Sequence, residues 1–187
     1  MNKRTLFSRD EMLEMNVKTL KERTVSVEEI AEVAFRQQGK WNPDISMKEC
    51  VDSVEKILSL RDVFHLLQLG AEIDRLTDEG LIQGPIYDVL KADLGMFGID
   101  ELFGLELAGL YGTIGKTNFG DIDVNKPLVV DRLNDDGKHE GGMCHTFMDD
   151  IVGAIAAAAS TRVAQITNEE EARKDPSVEE IKLDLDL

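Results

Sequence analysis

At 187 residues the chain has material for one sizeable domain, and two full domains are disfavoured on size alone. Its formal net charge of −16 argues against a nucleic-acid-binding surface and against attraction to anionic lipid. Any anionic substrate would therefore need a local basic group or a metal ion to hold it. Cys50 and Cys144 sit in neither a CxxC nor a zinc-type spacing, so no disulfide framework is expected. The first residues carry charges throughout and lack the apolar core of a secretory signal. No window approaches the length of apolar chain that a membrane span needs. A soluble, cytoplasmic protein is expected.

In chain order, the first signals are three helix starts. Ser8-x-x-Glu11, Ser26-x-x-Glu29 and Ser46-x-x-Glu49 each have the form of a capping box, in which two side chains satisfy free backbone N–H groups. Each is followed by apolar residues at helical spacing, such as Val27, Ile30, Val33 and Ala34. Gly39 is the expected stop of the second helix. The periodic pattern from 47 to 78 predicts one long helix, or two with a break at Gly70. Gly84-Pro85 opens a short helix closed by Gly95 and Gly98, and Asp100 opens a strongly apolar one through Leu110.

Residues 111–127 contain Gly112, Gly115, Gly120 and Pro127 with little periodicity, which predicts a long functional loop. Gly112-Thr-Ile-Gly115-Lys116-Thr117 resembles part of a phosphate loop, but Leu110 stands where the first glycine belongs. Asp121-Ile-Asp123-Val-Asn125 matches the first half of a calcium loop. It fails at Lys126, where a glycine is required, and at Arg132, where a bidentate Glu is required. What survives is a carboxylate pair two residues apart. Pro127 starts a short helix through Leu133, and 134–142 is a polar connection.

The organising stretch is 145–160. Apart from Gly153, its middle (Ile151, Val152, Ala154 to Ala159) is apolar on every face, the mark of a helix buried in the centre of a protein. The fold class predicted is all-α, a compact bundle in which this central helix, ending near Ile166, is surrounded by others. Residues 1–166 form the expected domain, and 167–187 an acidic tail, partly helical or disordered. Asp149 and Asp150 stand at the mouth of the central helix. Thr146-x-x-Asp149 has the capping-box form, and acids in a first turn suit the helix dipole. The same acids also suit a cation site. Asp100-Glu101 and Asp121/Asp123 give two further acidic pairs, and oxygen-only ligands favour a hard cation such as Mg²⁺ or Ca²⁺. His145 adjoins the central acids and could cap the helix, bind phosphate or act as an acid. His65 reads as structural and His139 as a residue of a charged loop.

Taken together, Asp100-Glu101-x-x-Gly104, Asp123-x-x-Lys126-Pro127, Gly141-Gly142 and Asp149-Asp150-Ile-Val resemble, in order, the motifs of the phosphatidylglycerophosphatase A family. The chain is similar above all to the soluble, YutG-like branch of that family. Tyr111-Gly-Thr-Ile-Gly115, Thr117-Asn118 and the block 144–159 carry this likeness, which runs along 25–163. The resemblance implies a compact bundle around one central helix and Mg²⁺- or Ca²⁺-dependent hydrolysis of a phosphate monoester. The substrate would be phosphatidylglycerophosphate, another phospholipid headgroup or a small soluble relative.

On that reading Asp100, Glu101, Asp123, Asp149 and Asp150 hold the metal. Asp149, Asp150, Lys126 and His145 are the candidate catalytic residues, with Lys126 stabilising charge on the phosphoryl oxygens. The membrane members of the family have spanning helices, whereas here Asp100, Glu101 and Glu106 interrupt the apolar segment. The rival reading is a non-catalytic soluble protein of the same fold that acts by oligomerisation or ligand binding. Neither reading excludes a homo-oligomer.

Overall fold

A computed structural model describes residues 6–93, 98–139 and 141–178. They form nine helices and no strand: α1 (Arg9–Glu22), α2 (Val27–Gln38), α3 (Met47–Leu58), α4 (Arg61–Asp78), α5 (Pro85–Ala92), α6 (Ile99–Gly109), α7 (Gly112–Asn125), α8 (Val129–Asp136) and α9 (Met148–Lys174). Helix α9 is the axis, and α2, α3, α4, α6, α7 and α8 all pack on it. From Met148 to Thr161 every residue of α9 is buried. The run of alanines explains how so many neighbours reach it, because small side chains let helix axes approach from several sides. No helix among the described residues is long and apolar enough to cross a membrane.

All three serine capping boxes form. Ser8, Ser26 and Ser46 each accept from the backbone N–H three residues on, and Glu11, Glu29 and Glu49 accept the return bonds. The pattern from 47 to 78 resolves into two helices that part at Ser59–Leu60, not at Gly70. Gly70 instead stays inside α4, where its missing side chain admits Ile151 and Phe147 of α9. Helix α9 runs beyond Ile166 to Lys174, so the acidic stretch after Thr167 begins as helix. Gly95 and the last residues of the expected tail, 179–187, lie outside the described residues.

Residues 111–127 correct the loop reading, because α7 occupies 112–125. Glycine-rich sequence has poor intrinsic helix propensity, but packing supplies what propensity lacks. Gly115, Phe119 and Ile122 are buried along one stripe, with α6 on one side and α9 on the other. A Cβ on Gly115 would stand 2.2 Å from the carbonyl oxygen of Ala108, so only glycine lets α7 fold back so closely on α6. The same layer explains Gly104, whose Cβ would meet the buried Phe119 ring at 2.3 Å. Gly104→Ala is therefore expected to destabilise the protein by about 1–3 kcal/mol through overpacking. Denaturant titration would measure it, and an unchanged midpoint would show that the ring can move aside.

Candidate acidic site at the start of the central helix

The beginning of α9 carries no cap from its own sequence. Thr146 does not close the box with Asp149; its hydroxyl donates to the Leu90 carbonyl at 2.7 Å. The cap comes from α4, where Asp74 accepts from the N–H of Phe147 at 3.2 Å and of Met148 at 3.0 Å. The thiol of Cys144 approaches the same carboxylate at 3.7 Å. Burial pushes the Asp74 carboxyl up, to about 8, against the pull of the Arg23 guanidinium and the two N–H groups. Every polar partner of Asp74 is a donor, which is the arrangement that a carboxylate acting as helix cap requires. Asp74→Ala leaves two buried N–H groups bare. A loss of about 2–3 kcal/mol is expected, with Asp74→Asn costing less because one oxygen remains. Thermal melts of both variants check it, and equal losses would argue against the cap.

With the cap supplied elsewhere, Asp149 and Asp150 are free for other partners. The Lys126 ammonium lies 2.7 Å from Asp123 Oδ1, 2.9 Å from Asp149 Oδ2 and 3.5 Å from Asp150 Oδ1. Asp149 Oδ1 also accepts from the Asp150 N–H at 2.8 Å. Both aspartates are nearly closed off from solvent, 4% and 3% exposed. Burial raises both carboxyl groups; Lys126 opposes the rise in each, and the charge of Asp149 raises Asp150 further. Burial also works against the charge on Lys126. Asp149, Asp123 and Asp150 overcome it and raise the ammonium pKa. Lys126 is the C-cap of α7 at φ +40, and Leu128 follows Pro127 at φ +55. Two non-glycine residues in left-handed conformations thus frame the turn that aims this lysine, a kind of strain that gathers at functional sites.

The site residues expected from sequence divide into three groups. Asp123, Asp149, Asp150 and Lys126 meet directly. Asp100 is buried on α6, adds its negative charge at Asp150, and has a buried Oδ1 with no hydrogen-bond partner among the described residues. Glu101 is exposed, and acts on Asp100 electrostatically. His145 points elsewhere. Its Nε2 is 3.2 Å from Asp136 Oδ2, and its Nδ1 is buried without a partner among the described residues. Burial, then the nearby Arg23 charge, lowers its pKa to about 4, so the ring is neutral at neutral pH.

Two acids were missed in the sequence reading. Asp74 had no motif around it. Asp93, the left-handed C-cap of α5, interacts electrostatically with Lys126, Asp149 and Asp100, and no motif singles it out in the sequence.

Asp121 and Asp123 do not form a pair on a loop. Both lie on α7, where two residues turn the helix by about 200°. Asp121 accordingly meets Lys40 at 2.7 Å while Asp123 meets Lys126. The glycine-rich 112–117 segment is the first part of α7 and not a phosphate cradle, and Lys116 lies against Gly109 of α6.

Among the described residues, no three acid, histidine or cysteine side chains stand close enough together to hold a metal ion. The carboxylates surround an ammonium instead. Their chemistry nonetheless fits a hard divalent cation. The donors are all oxygen, two of them are adjacent and buried, and Asp100 presents an oxygen that no described residue hydrogen-bonds. Magnesium typically uses only one or two carboxylates, with water and phosphate oxygens filling the remaining positions.

Comparison with known proteins places these residues in a wider setting. A family model described as phosphatidylglycerophosphatase A matches residues 46–165. The uncharacterized protein YutG of Bacillus subtilis (strain 168) is 43% identical over 145 residues, which cover 78% of this chain and 86% of YutG. The crystal structure of YpjQ from Bacillus subtilis superposes with a TM-score of 0.81 at 34% identity, covering 88% of this chain and 99% of that one. The low temperature requirement C protein from Listeria monocytogenes superposes with a TM-score of 0.79 at 37% identity, covering 84% and 97%.

Proposed function

The chain belongs to the phosphatidylglycerophosphatase A family, and from that membership we propose that it is a cytoplasmic, divalent-metal-dependent phosphatase acting on a phosphate monoester of the phospholipid-headgroup type. The observation that carries the reading is the convergence of Asp123, Asp149 and Asp150, from two separate helices, on the single ammonium of Lys126. Asp149 and Asp150 would hold Mg²⁺ or Ca²⁺, with Asp100 and Asp123 adding negative charge around it. When bound, such an ion supplies charge neutralisation for the phosphoryl group and activation of the attacking water.

The remaining work falls to the chain's own groups. Lys126 is the basic side chain at the cluster, so it is the group that can donate to a phosphoryl oxygen and stabilise the charge that develops there. The buried setting of Asp149 and Asp150 lowers the local dielectric and strengthens that interaction. Asp74 sets the start of α9 and thereby the direction in which the two acids project. His145 has no part in this scheme, since its partners lie at Asp136 and Arg23.

A −16 chain gives an anionic ester little long-range attraction, so recognition must come from close contacts at this cluster. The rival, non-catalytic reading draws on the same lysine, which already pairs with the acids without an ion. A release assay separates the two. Phosphatidylglycerophosphate in detergent and a soluble aryl phosphate would each be incubated with Mg²⁺, Mn²⁺ or Ca²⁺. Chelator-sensitive release of inorganic phosphate is the expected result. No release with any ion, together with no ion-dependent change in melting temperature, would leave the non-catalytic reading standing.

A further inference from the structure

A second place on the molecule is built to receive a ligand, and it lies well away from the acidic cluster. A cleft of about 600 Å³ opens where the turn after α2 meets α7 and the later part of α9. Ala164, on its α9 wall, is 14 residues beyond Asp150, a separation of about 20 Å along the helix. The glycine-rich segment that the phosphatase reading leaves unused contributes Ile114 to this cleft, and Asn118 follows one residue after it.

The lining has a definite chemistry. Trp41, the chain's single tryptophan, is 79% exposed at the cleft, and Ile114 is exposed with it. Trp41 is not a loose side chain on a free loop. Its N–H and that of Asn42 both donate to the Gln38 carbonyl, at 2.9 and 3.0 Å, which fixes the turn that presents the indole. Gln38 itself is only 7% exposed. Its side-chain oxygen accepts from the Ser160 hydroxyl at 3.5 Å, and the residue forms part of the cleft lining. Asp44 and Glu171 also line the cleft and are exposed, and neither carboxylate meets a cation among the described residues. Among the described residues, no lysine or arginine lines it.

A phosphate or other anion finds no counter-charge here. An indole face, a second apolar side chain and two unpaired carboxylates together match a cation with an apolar skin, for which tryptophan is the preferred aromatic partner. We propose that this cleft is a binding site for a small organic ammonium ion, a quaternary or protonated amine. The ion would stack on Trp41, and its charge would be met by Asp44 and Glu171. The site is independent of the phosphatase reading and stands or falls without it.

Because Trp41 is the sole tryptophan, its fluorescence reports on the cleft directly. Choline would be titrated into the full-length protein, with its uncharged carbon isostere dimethylbutanol as the control. The expected result is a saturable change with choline and none with the isostere. Asp44→Asn and Glu171→Gln, both exposed positions where folding is not at stake, should each weaken the midpoint by about threefold. Trp41→Phe, followed by calorimetry, should weaken it further. No saturable change with choline, an equal response to the isostere, or midpoints unmoved in the two carboxylate variants would overturn the proposal.

Discussion

Asp150→Asn is expected to reduce metal-dependent phosphate release by ~10³-fold while leaving the protein as stable as before or more so. The loss follows from the proposed role of Asp150 as a ligand of the ion, since an ion's effect on a phosphoryl transition state would be of that order. The stability follows from burial. Asp150 is 3% exposed, and burial together with the charge of Asp149 raises its carboxyl pKa. A carboxyl whose pKa is raised on folding destabilises the native state at every pH above its ordinary value, where the unfolded chain has already lost that proton, and the neutral amide removes the penalty. The Lys126 contact that the variant gives up is the longest of the three, at 3.5 Å.

The sign can be read in a pH series. The folded wild type binds its proton more tightly than the unfolded chain. Its stability relative to the variant therefore rises as pH falls through the raised value, and the gap closes below the ordinary value of 3.8. At neutral pH the variant should melt at the same temperature or higher. A variant that loses both activity and several degrees of stability would mean that Asp150 is structural.

Lys126→Met should have the opposite character. Without an ion, Asp123, Asp149 and Asp150 lose the ammonium they share. Breaking one side of a buried ion pair leaves uncompensated charge, and a loss of about 3 kcal/mol is expected. For a domain of this size that corresponds to a melting temperature lower by about 6–12 °C. Added Mg²⁺ or Ca²⁺ should restore much of the loss, because the ion and the ammonium satisfy the same carboxylates. The variant should accordingly bind the ion more tightly than the wild type, by calorimetry, while turning over substrate more slowly. Equal ion-induced shifts in the two proteins would show that lysine and ion do not share a site.

Much of this arrangement could be read in the residues, and the parts that could not share a physical cause. The capping boxes at Ser8, Ser26 and Ser46 are local, each closed within four residues, and all three form. The central helix was legible because its apolar character is continuous around the whole circumference. Helix α7 was hidden because its stability resides in Phe119 and Ile122 packing on α9 and in Gly115 fitting under α6, none of which intrinsic propensity records. Asp123, Lys126, Asp149 and Asp150 were found through motif order. Asp74 and Asp93 were not, since their importance comes from what lies across the interface and not from their neighbours in sequence. His145 was drawn toward the acids by adjacency, but the backbone at the start of α9 turns its ring to Asp136.

The Asp74 cap has a consequence for how the molecule comes into being. The hydrogen bonds that start the central helix span 73 and 74 positions of chain. Starting a helix is the unfavourable step, and here the group that eases it arrives only after α4 has docked. Contacts of such long range are made late and slow the search for the native topology. The paired acids at residues 149 and 150 are thus set in place only once the distant half of the chain has arrived. An emerging or partly unravelled polypeptide would carry the same aspartates without their shared contact to Lys126.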